Sequence, residues 1–461
     1  MEFNEFRIAV LAFLALTPLL MLRPKLIFYV YLGIIVYFPN VLGFGVSSNV
    51  KYLSLYSAGT GMLMLPLVNI YLYGVFVLSV ILYRSRLGRV QQCSTLTWLW
   101  ALSGFYLVYA FVGVAIDIPL EKILGGHSTI NVLNMTLLMA TILRVYADEK
   151  ELSRLTHFLI FCVVTRDLFG LVRFAFWGGD ISNVYANVEK IDVTLTFQDI
   201  NDSVLACVVG FYCAWVLLFK WPLLSLRGRF GYAAIVALTV FTIMFSFRRS
   251  AWIGLFLAGG LLVLRQPLRR RIQVGILVGL VATFILTTLL TMRLGQYEQS
   301  RQGSLLLYDI TGRQGQMTAK EGRFTELAAA FESIQENWLL GVGPWGHFNF
   351  GGPRDYMHGG LLQVWLKLGL IGLVLFLLST LAWVAFYLRK RNSIADEERG
   401  LFEAGAGGLL FLLPTLVVGT PIIEFRTMQL IGLCLALPYL AYTVEEAKNA
   451  TLPLSQPSGY L

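Results

Sequence analysis

The sequence predicts an all-α, polytopic integral membrane protein, and three observations support this fold class. The chain of 461 residues is 57% hydrophobic and only 14% charged, whereas a soluble domain carries about 25% charged residues. Runs of roughly 20 apolar residues recur along nearly the whole chain, which is the length of a helix that spans the hydrocarbon core. The alternating segments of about ten residues that are typical of membrane β-barrel strands are absent.

The apolar runs predict 12 or 13 transmembrane helices, because the first two runs are short and one of them need not cross completely. These runs divide the chain into ten spans within 1–292, a long hydrophilic loop at 293–359, C-terminal spans within 360–442 and a tail at 443–461. The spans are expected at 8–22, 26–38, 62–83, 97–116, 130–145, 156–176, 203–219, 232–247, 252–264, 274–292, 360–388, 402–419 and 427–442.

The basic residues predict the orientation of the spans. The formal net charge of +9 comes largely from arginines and lysines in short loops between apolar runs, which the positive-inside rule assigns to the cytoplasm. This topological role explains the charge without a nucleic-acid partner. The resulting orientation places 117–129, 177–202, 293–359 and the turn near Arg248 on the outer side, and the tail in the cytoplasm.

The loop at 293–359 is the longest hydrophilic segment, and we expect the chemistry to take place there. Apolar residues recur at helical spacing between 318 and 337, which predicts an amphipathic helix that lies on the membrane surface or caps a cavity. Asn337 and the glycines Gly341 and Gly343 predict the end of this helix and a turn. The apolar stripe consists of Phe324, Leu327, Ala328, Phe331 and Ile334.

Arg248 and Arg249 lie at the outer junction of two apolar runs, in FSFRRSAWIGLF. No acidic residue close in the sequence neutralises them, and on this side their charge is not needed for topology. Two guanidinium groups at the outer edge of the membrane suit a phosphate or diphosphate, which they can bind bidentately. The alternative is that both side chains extend to lipid headgroups.

Three charged residues, Arg166, Asp167 and Arg173, lie within one predicted span, where charges usually face a cavity or a partner. Arg166 and Arg173 are seven residues apart and therefore share a helical face. The sequence leaves two interpretations open: the residues line an outward-facing cavity, or they form structural ion pairs between helices.

His358 begins the span that follows the long loop, and Arg354 precedes it. A neutral imidazole at the interface can take a proton from a sugar hydroxyl; the alternatives are a polar interface residue and His347 as the base. No P-loop, zinc motif or nucleophile elbow is present, so we expect neither a metal nor a cofactor. Candidates for further phosphate contacts in the loop are Arg301, Arg313 and Arg323.

Four stretches occur in a recognisable order along the chain. They are TFQDINDSVLA with Asn201, SFRRSAWIGL with Arg249, GRFTELAAAFESIQENWLLGVGPWGHF with Arg323, and MHGGLLQVWLKLGLIGLVLF with His358. In this order and with this span arrangement, they resemble the O-antigen ligase and O-antigen polymerase superfamily of bacterial membrane glycosyltransferases, over residues 190 to 390. The chain departs from the family pattern at four positions. Ile200 replaces the usual Pro, Arg248 the usual Ser and Gly359 the usual Asn, and Lys367 stands where an acidic residue is common.

The resemblance implies a metal-independent glycosyltransferase in the bacterial inner (cytoplasmic) membrane. The implied donor is an oligosaccharide linked to undecaprenyl diphosphate, and the glycan passes to a sugar hydroxyl while the lipid diphosphate leaves. Arg249 and Arg323, assisted by Arg248, would bind the diphosphate, and His358 would act as the base. The implied partners are the lipid-linked donor, the glycan acceptor and membrane lipids, with flippase or export components as further candidates. Additional candidate site residues are Arg354, Arg313, Arg166, Arg173 and Asn201.

Two functions remain open within this resemblance, and two outside it. A polymerase extends another lipid-linked glycan, whereas a ligase transfers the glycan to lipid A core or to protein; the short tail after the last span favours the polymerase. The alternative from another class is a multi-span transporter or flippase-like protein of polysaccharide export that uses Arg166, Asp167 and Arg173 as its substrate site. The absence of internal repeats argues against this alternative, and a non-catalytic membrane scaffold is a third candidate.

Overall fold

The computed structural model describes residues 24–37, 67–86, 93–124, 130–180, 194–197, 199–276, 323–419 and 424–451, with a few isolated positions between 278 and 291. The predicted span at 8–22 and most of the one at 274–292 lie outside the described residues. Arg301 and Arg313 lie outside them as well.

The described chain is almost entirely helical, which confirms the predicted all-α class. Two short antiparallel strands, β1 (Phe348–Asn349) and β2 (Pro353–Arg354), form a hairpin in the outer loop. The helices are α1 (Pro24–Tyr37), α2 (Leu67–Leu82), α3 (Ser94–Ala115), α4 (Leu120–Leu124), α5 (Ile130–Val145), α6 (Glu149–Phe176), α7 (Ile200–Phe219), α8 (Leu226–Met244), α9 (Arg249–Leu264), α10 (Arg323–Glu336), α11 (Gly360–Lys390), α12 (Asp396–Val418) and α13 (Phe425–Thr451).

Six of the described helices are long and apolar enough to cross a membrane: α3, α7, α8, α11, α12 and α13. Four shorter apolar helices, α1, α2, α5 and α9, accompany them. The polytopic architecture is therefore confirmed, while the total of 12 or 13 spans and the division into four regions stay predictions.

Helices α7 and α13 form the centre of the bundle. In the apolar window of α13, 89% of the residues are buried inside the protein, against 17% in α8. Large apolar side chains of α3, α8 and α9 are exposed instead, as expected for helices that face lipid. The central helices therefore carry the polar contacts that hold the bundle together, and the peripheral ones border the membrane.

Charged residues of different helices pair at both ends of the bundle. The predicted cytoplasmic end contains ion pairs between helices, including Lys448–Glu398 at 2.6 Å and Arg265–Glu403 at 3.0 Å. At the opposite end, α7, α9 and α13 begin and α12 ends, so that these four termini lie together. We call this opposite end the site end, since it carries most of the candidate residues.

Candidate functional site

The outer-loop helix α10 meets the start of α11 through a histidine–carboxylate pair. Nδ1 of His358 lies 2.8 Å from Oε2 of Glu326. The Glu326 side chain is only 4% exposed, whereas that of His358 is 36% exposed. The imidazole therefore lies between the buried carboxylate and the protein surface. A general base that is oriented by a carboxylate has this arrangement.

A small apolar core in the outer loop supports the pair of His358 and Glu326. Ala330 and Ile334 of α10 pack against Phe348 of β1, Met357 and Leu366. The predicted amphipathic helix is thus present, but its buried stripe contains Glu326, Ala330 and Ile334, spaced four residues apart. Phe331, which the sequence assigned to the apolar stripe, is 43% exposed.

Arg354 approaches the same carboxylate from the hairpin. Its Nη1 lies 3.9 Å from Oε1 of Glu326, and its guanidinium lies over the ring of Phe350 at 4.7 Å from the centroid. The side chain is 46% exposed, so the pair is partly screened by solvent and contributes little to stability. Its position beside His358 agrees with a role in attracting an anionic group.

The backbone connects His358 to the site end. Gly359, the next residue, has a φ of 129°, and its N–H donates to the carbonyl of Gly419 at 2.9 Å. Gly419 follows the end of α12, which packs along α9 so closely that a β-carbon on Gly254 would lie 2.2 Å from the carbonyl oxygen of Phe411. Because α9 begins at Arg249, the candidate base and the candidate diphosphate ligand belong to the same end of the bundle.

A short, well-packed turn carries the two arginines. Phe247 has a φ of 52°, which is unusual for an aromatic residue, and its ring packs against Trp252. The indole of Trp252 donates to the carbonyl of Met244 at 2.9 Å, closing the turn between α8 and α9. Arg249 begins α9 and is exposed, whereas Arg248 precedes the helix and is partly buried.

Glu424 is an acidic neighbour of Arg248 that the sequence did not predict, because the two segments are far apart in the chain. The positive charge of Arg248 acts on the Glu424 carboxyl. Burial and the nearby charge of Asp199 nevertheless raise the pKa of Glu424 above its ordinary value. Arg248 thus has an acidic neighbour just before the first residue of α13.

Asn201 lies inside a hydrogen-bonded junction between α7 and α13. Its side-chain amide donates to Asp199 at 2.6 Å and accepts from the Thr427 hydroxyl at 2.7 Å. Asp199 also accepts from the backbone N–H of Asn201 at 3.0 Å and caps α7. Asn201 is fully buried, and this geometry agrees with a role in holding the helix ends in place; ligand binding by Asn201 stays a prediction.

Arg166 and Arg173 form buried ion pairs. Nη2 of Arg166 lies 3.1 Å from Asp202, and Nη2 of Arg173 lies 3.0 Å from Asp180. Both arginines are less than a tenth exposed. Of the two interpretations that the sequence left open, the contacts agree with structural ion pairs, and a substrate role for either residue stays a prediction.

Three functional features were missed by sequence reasoning. Glu326 was overlooked, although its spacing to Ala330 and Ile334 is the signal that would have put it on the buried stripe. Arg426, which is fully buried, binds Asp199 and Asp202 at 2.9 and 2.6 Å. No local sequence pattern predicts these ion pairs. The third feature is the insertion of the loop after α10 into a break in helix α11.

The structure gives no side-chain geometry for two of the predicted loop arginines. Arg323 is the first residue of α10, three positions before Glu326, and its side chain lies outside what the structure describes. Arg313 lies outside the described residues altogether. Their assignment to the diphosphate stays a prediction.

Comparison with known proteins supports the family. Residues 234–377 match the family model described as O-antigen ligase, and this stretch includes the segments around Arg249, Arg323 and His358. No curated protein matches the chain. The match over 234–377 confirms the predicted resemblance to the O-antigen ligase and O-antigen polymerase superfamily, and the described apolar helices agree with a multi-pass membrane protein.

Proposed function

We propose that the protein transfers an oligosaccharide from undecaprenyl diphosphate to a sugar hydroxyl at the outer face of the inner membrane. We favour polymerisation, in which the acceptor is a second lipid-linked glycan. In this proposal, Arg249 and Arg323, assisted by Arg248, bind the diphosphate, His358 is the base, and α10 helps to cover the site. No metal ion or nucleotide sugar takes part.

The observation that carries the proposal is that His358 and Arg249 belong to the same end of the bundle. The link runs through the hydrogen bond from Gly359 to Gly419 and the packing of α12 along α9. The transfer needs a cation that stabilises the leaving diphosphate and a neutral base, and the exposed Arg249 and the partly exposed imidazole of His358 can supply them.

The proposed reaction is a displacement at the anomeric carbon of the donor sugar. The acceptor oxygen forms the new bond to this carbon, and the bond from the carbon to the diphosphate oxygen breaks. The proton of the acceptor hydroxyl passes to Nε2 of His358. Negative charge grows on the leaving diphosphate, where guanidinium groups stabilise it more in the transition state than in the bound donor.

The transporter alternative is less well supported by the contacts. It requires Arg166, Asp167 and Arg173 to bind substrate, but Arg166 and Arg173 are ion-paired with Asp202 and Asp180. Opening such a site would separate Arg166 from the buried Asp202 and Arg173 from the buried Asp180, which is unfavourable in a low-dielectric interior.

The proposal is tested with purified protein in lipid nanodiscs and an undecaprenyl-diphosphate-linked oligosaccharide. Wild type is expected to lengthen the glycan and to release undecaprenyl diphosphate. Arg249→Ala and His358→Ala should each lower turnover by about 10²-fold or more. If lengthening appears only when lipid A core is added as the acceptor, the protein is a ligase.

Two variants serve as matched controls. Arg269→Ala removes an exposed arginine at the opposite end of the bundle and should leave turnover unchanged. His347→Ala removes the rival histidine, which is exposed in the same outer loop, and should also remain active. Full activity of both Arg249→Ala and His358→Ala, or loss of activity in His347→Ala alone, would contradict the assignment of the site.

A further inference from the structure

We propose that Glu326 is a positioning residue that orients His358 for catalysis and couples the outer-loop helix to the base. This inference rests on the proposed function, because it assigns a partner to the base of that reaction. It adds a residue that neither the four sequence motifs nor the family match singles out.

The first argument is the geometry of the pair. The contact of 2.8 Å between Nδ1 of His358 and Oε2 of Glu326 has the length of a charge-assisted hydrogen bond. An ionised carboxylate can only accept hydrogen bonds, so Nδ1 carries the hydrogen. The lone pair of the neutral imidazole is then on Nε2, the atom that must receive the acceptor proton.

The second argument is the order of burial. Glu326 is 4% exposed and His358 is 36% exposed, so a substrate hydroxyl meets the imidazole and not the carboxylate. Oε1 of Glu326 has no hydrogen-bond partner within the described ranges, and its nearest cation there is Arg354 at 3.9 Å. Burying a carboxylate costs desolvation free energy, which offsets much of the stabilisation from a single strong hydrogen bond. A contribution to stability alone therefore poorly explains why Glu326 is buried.

The third argument is that Glu326 and His358 come from different segments of the chain. They are 32 positions apart and belong to different segments, α10 and the residue pair that precedes α11. The imidazole is therefore fixed in its productive orientation only while α10 is docked on the core of Phe348, Met357 and Leu366. Since α10 begins at Arg323, the same helix carries a proposed diphosphate ligand and the partner of the base.

The proton balance of the step is simple. The acceptor proton moves to Nε2 of His358 while Nδ1 keeps its own hydrogen, so that an imidazolium forms. Glu326 takes no proton; its negative charge stabilises the imidazolium across the hydrogen bond. The imidazolium then releases its proton to solvent after the product leaves.

Glu326→Gln tests the role, because glutamine has the same size but lacks the charge. We expect kcat to fall by about 10- to 10²-fold in the nanodisc assay, with little change in KM for the lipid-linked oligosaccharide. Glu326→Asp keeps the charge on a shorter side chain and should retain more activity than Glu326→Gln. A purely structural role predicts the reverse order, since Gln preserves the packing volume. Glu332→Gln, an exposed carboxylate of the same helix, is the matched control and should behave as wild type.

The double variant Glu326→Gln/His358→Ala separates this proposal from the proposed function. If Glu326 acts through His358, the double variant should be no slower than His358→Ala alone. Wild-type kcat in Glu326→Gln, or a further loss of the same factor in the double variant, overturns the positioning role while leaving His358 as the base. Full activity of His358→Ala overturns the base assignment itself and the positioning role with it. Thermal unfolding midpoints of all variants identify any that are misfolded.

Discussion

Gly369 lies directly against the backbone of Leu339: a β-carbon built on Gly369 would be 2.1 Å from the carbonyl oxygen of Leu339. Gly369 interrupts helix α11 with a φ of 64° and a ψ of −169°. The carbonyl of Leu366, freed by this break, accepts from the N–H of Val342 at 2.8 Å, and the N–H of Leu370 donates to Trp338 at 2.8 Å. The loop after α10 therefore inserts into the interruption of α11 and forms hydrogen bonds with the backbone groups that are unpaired there.

This insertion explains why glycines recur in both segments. A side chain at Gly369 would require an unfavourable φ and would collide with the loop backbone. Gly341, on the loop side, also has a positive φ, of 75°, and its β-carbon would lie 2.5 Å from the N–H nitrogen of Gly369. The two glycines let two backbones approach each other, and this contact holds the outer loop beside the start of α11.

Gly369→Ala is accordingly expected to destabilise the protein by about 2–4 kcal/mol, through the combined strain and collision. The thermal unfolding midpoint in detergent measures this effect, and turnover should fall because the outer loop is displaced. Gly260→Ala is the control, since a β-carbon at this exposed helical position meets nothing within 4 Å. Equal midpoints for Gly369→Ala and wild type would show that the two segments do not depend on this contact.

Lys367 provides a second link between α11 and the loop. Its buried amine donates to the carbonyls of Pro344, at 3.3 Å, and of Gly346. Lys367→Met keeps the side-chain length but leaves both carbonyls unsatisfied, which should cost about 1–3 kcal/mol. The same unfolding measurement checks this, with the exposed Lys150→Met as control. A midpoint of Lys367→Met at or above that of wild type contradicts the anchoring role.

Arg426 of α13 holds three helices together at the site end: α1, α7 and α13. It donates to the carbonyls of Ile35 and Val36 in α1 and binds Asp199 and Asp202 of the α7 terminus. Replacing it with Met would remove the arginine from Asp199, leave Asp202 with Arg166 alone and remove a donor from the carbonyls of Ile35 and Val36. We therefore expect a loss of about 3–5 kcal/mol.

Arg166→Met should be milder than Arg426→Met, because Asp202 would still keep Arg426 as its partner. Unfolding midpoints of the two variants and of the double variant measure this difference. Non-additive losses are expected, since both arginines share one carboxylate. A larger loss in Arg166→Met than in Arg426→Met would mean that Arg426 does not organise the junction.

Glu424 makes stability depend on pH. Burial, and then the charge of Asp199, raise the pKa of Glu424 above its ordinary value, 4.5. The folded state therefore binds this proton more tightly than the unfolded state, and its contribution to stability is lost as the pH rises from 4.5 through the raised pKa. Glu424→Gln should stabilise the protein at neutral pH and reduce the loss of stability that wild type shows as the pH rises above 4.5.

Unfolding midpoints of wild type and Glu424→Gln across that pH range check the prediction. The contact with the Thr427 hydroxyl, at 2.7 Å, can be kept by the amide oxygen of glutamine, so a change in hydrogen bonding does not obscure the result. Parallel curves for the two proteins would exclude Glu424 as the source of the pH dependence.

Periodicity and composition were sufficient for the fold class, because spans of apolar residues are a strong local signal. The sequence also located the arginine turn at Arg248 and Arg249, the outer-loop helix and His358 at the start of α11. It could not identify the partners that tertiary packing supplies. Glu424 approaches Arg248, and Arg426 reaches Asp202, only because α13 packs into the centre of the bundle.

The buried face of α10 illustrates the same limit. The stripe of Phe324, Leu327 and Phe331 predicted an amphipathic helix, and a helix is present, but it turns Glu326 inwards and leaves Phe331 exposed. A carboxylate on a buried stripe contradicts simple hydrophobic patterning. Such local conflicts concentrate at functional sites. Hydrophobic patterning alone therefore did not select Glu326, although its spacing to Ala330 and Ile334 places it on the buried stripe.

The most direct test of the central claim is a structure of the protein bound to a lipid-linked diphosphate sugar. We expect the diphosphate oxygens within hydrogen-bond distance of the guanidinium groups of Arg249 and Arg323, and Nε2 of His358 open towards the anomeric carbon, with Glu326 behind it. A diphosphate bound between Arg166 and Arg173 instead, or an imidazole directed away from the sugar, would contradict the account.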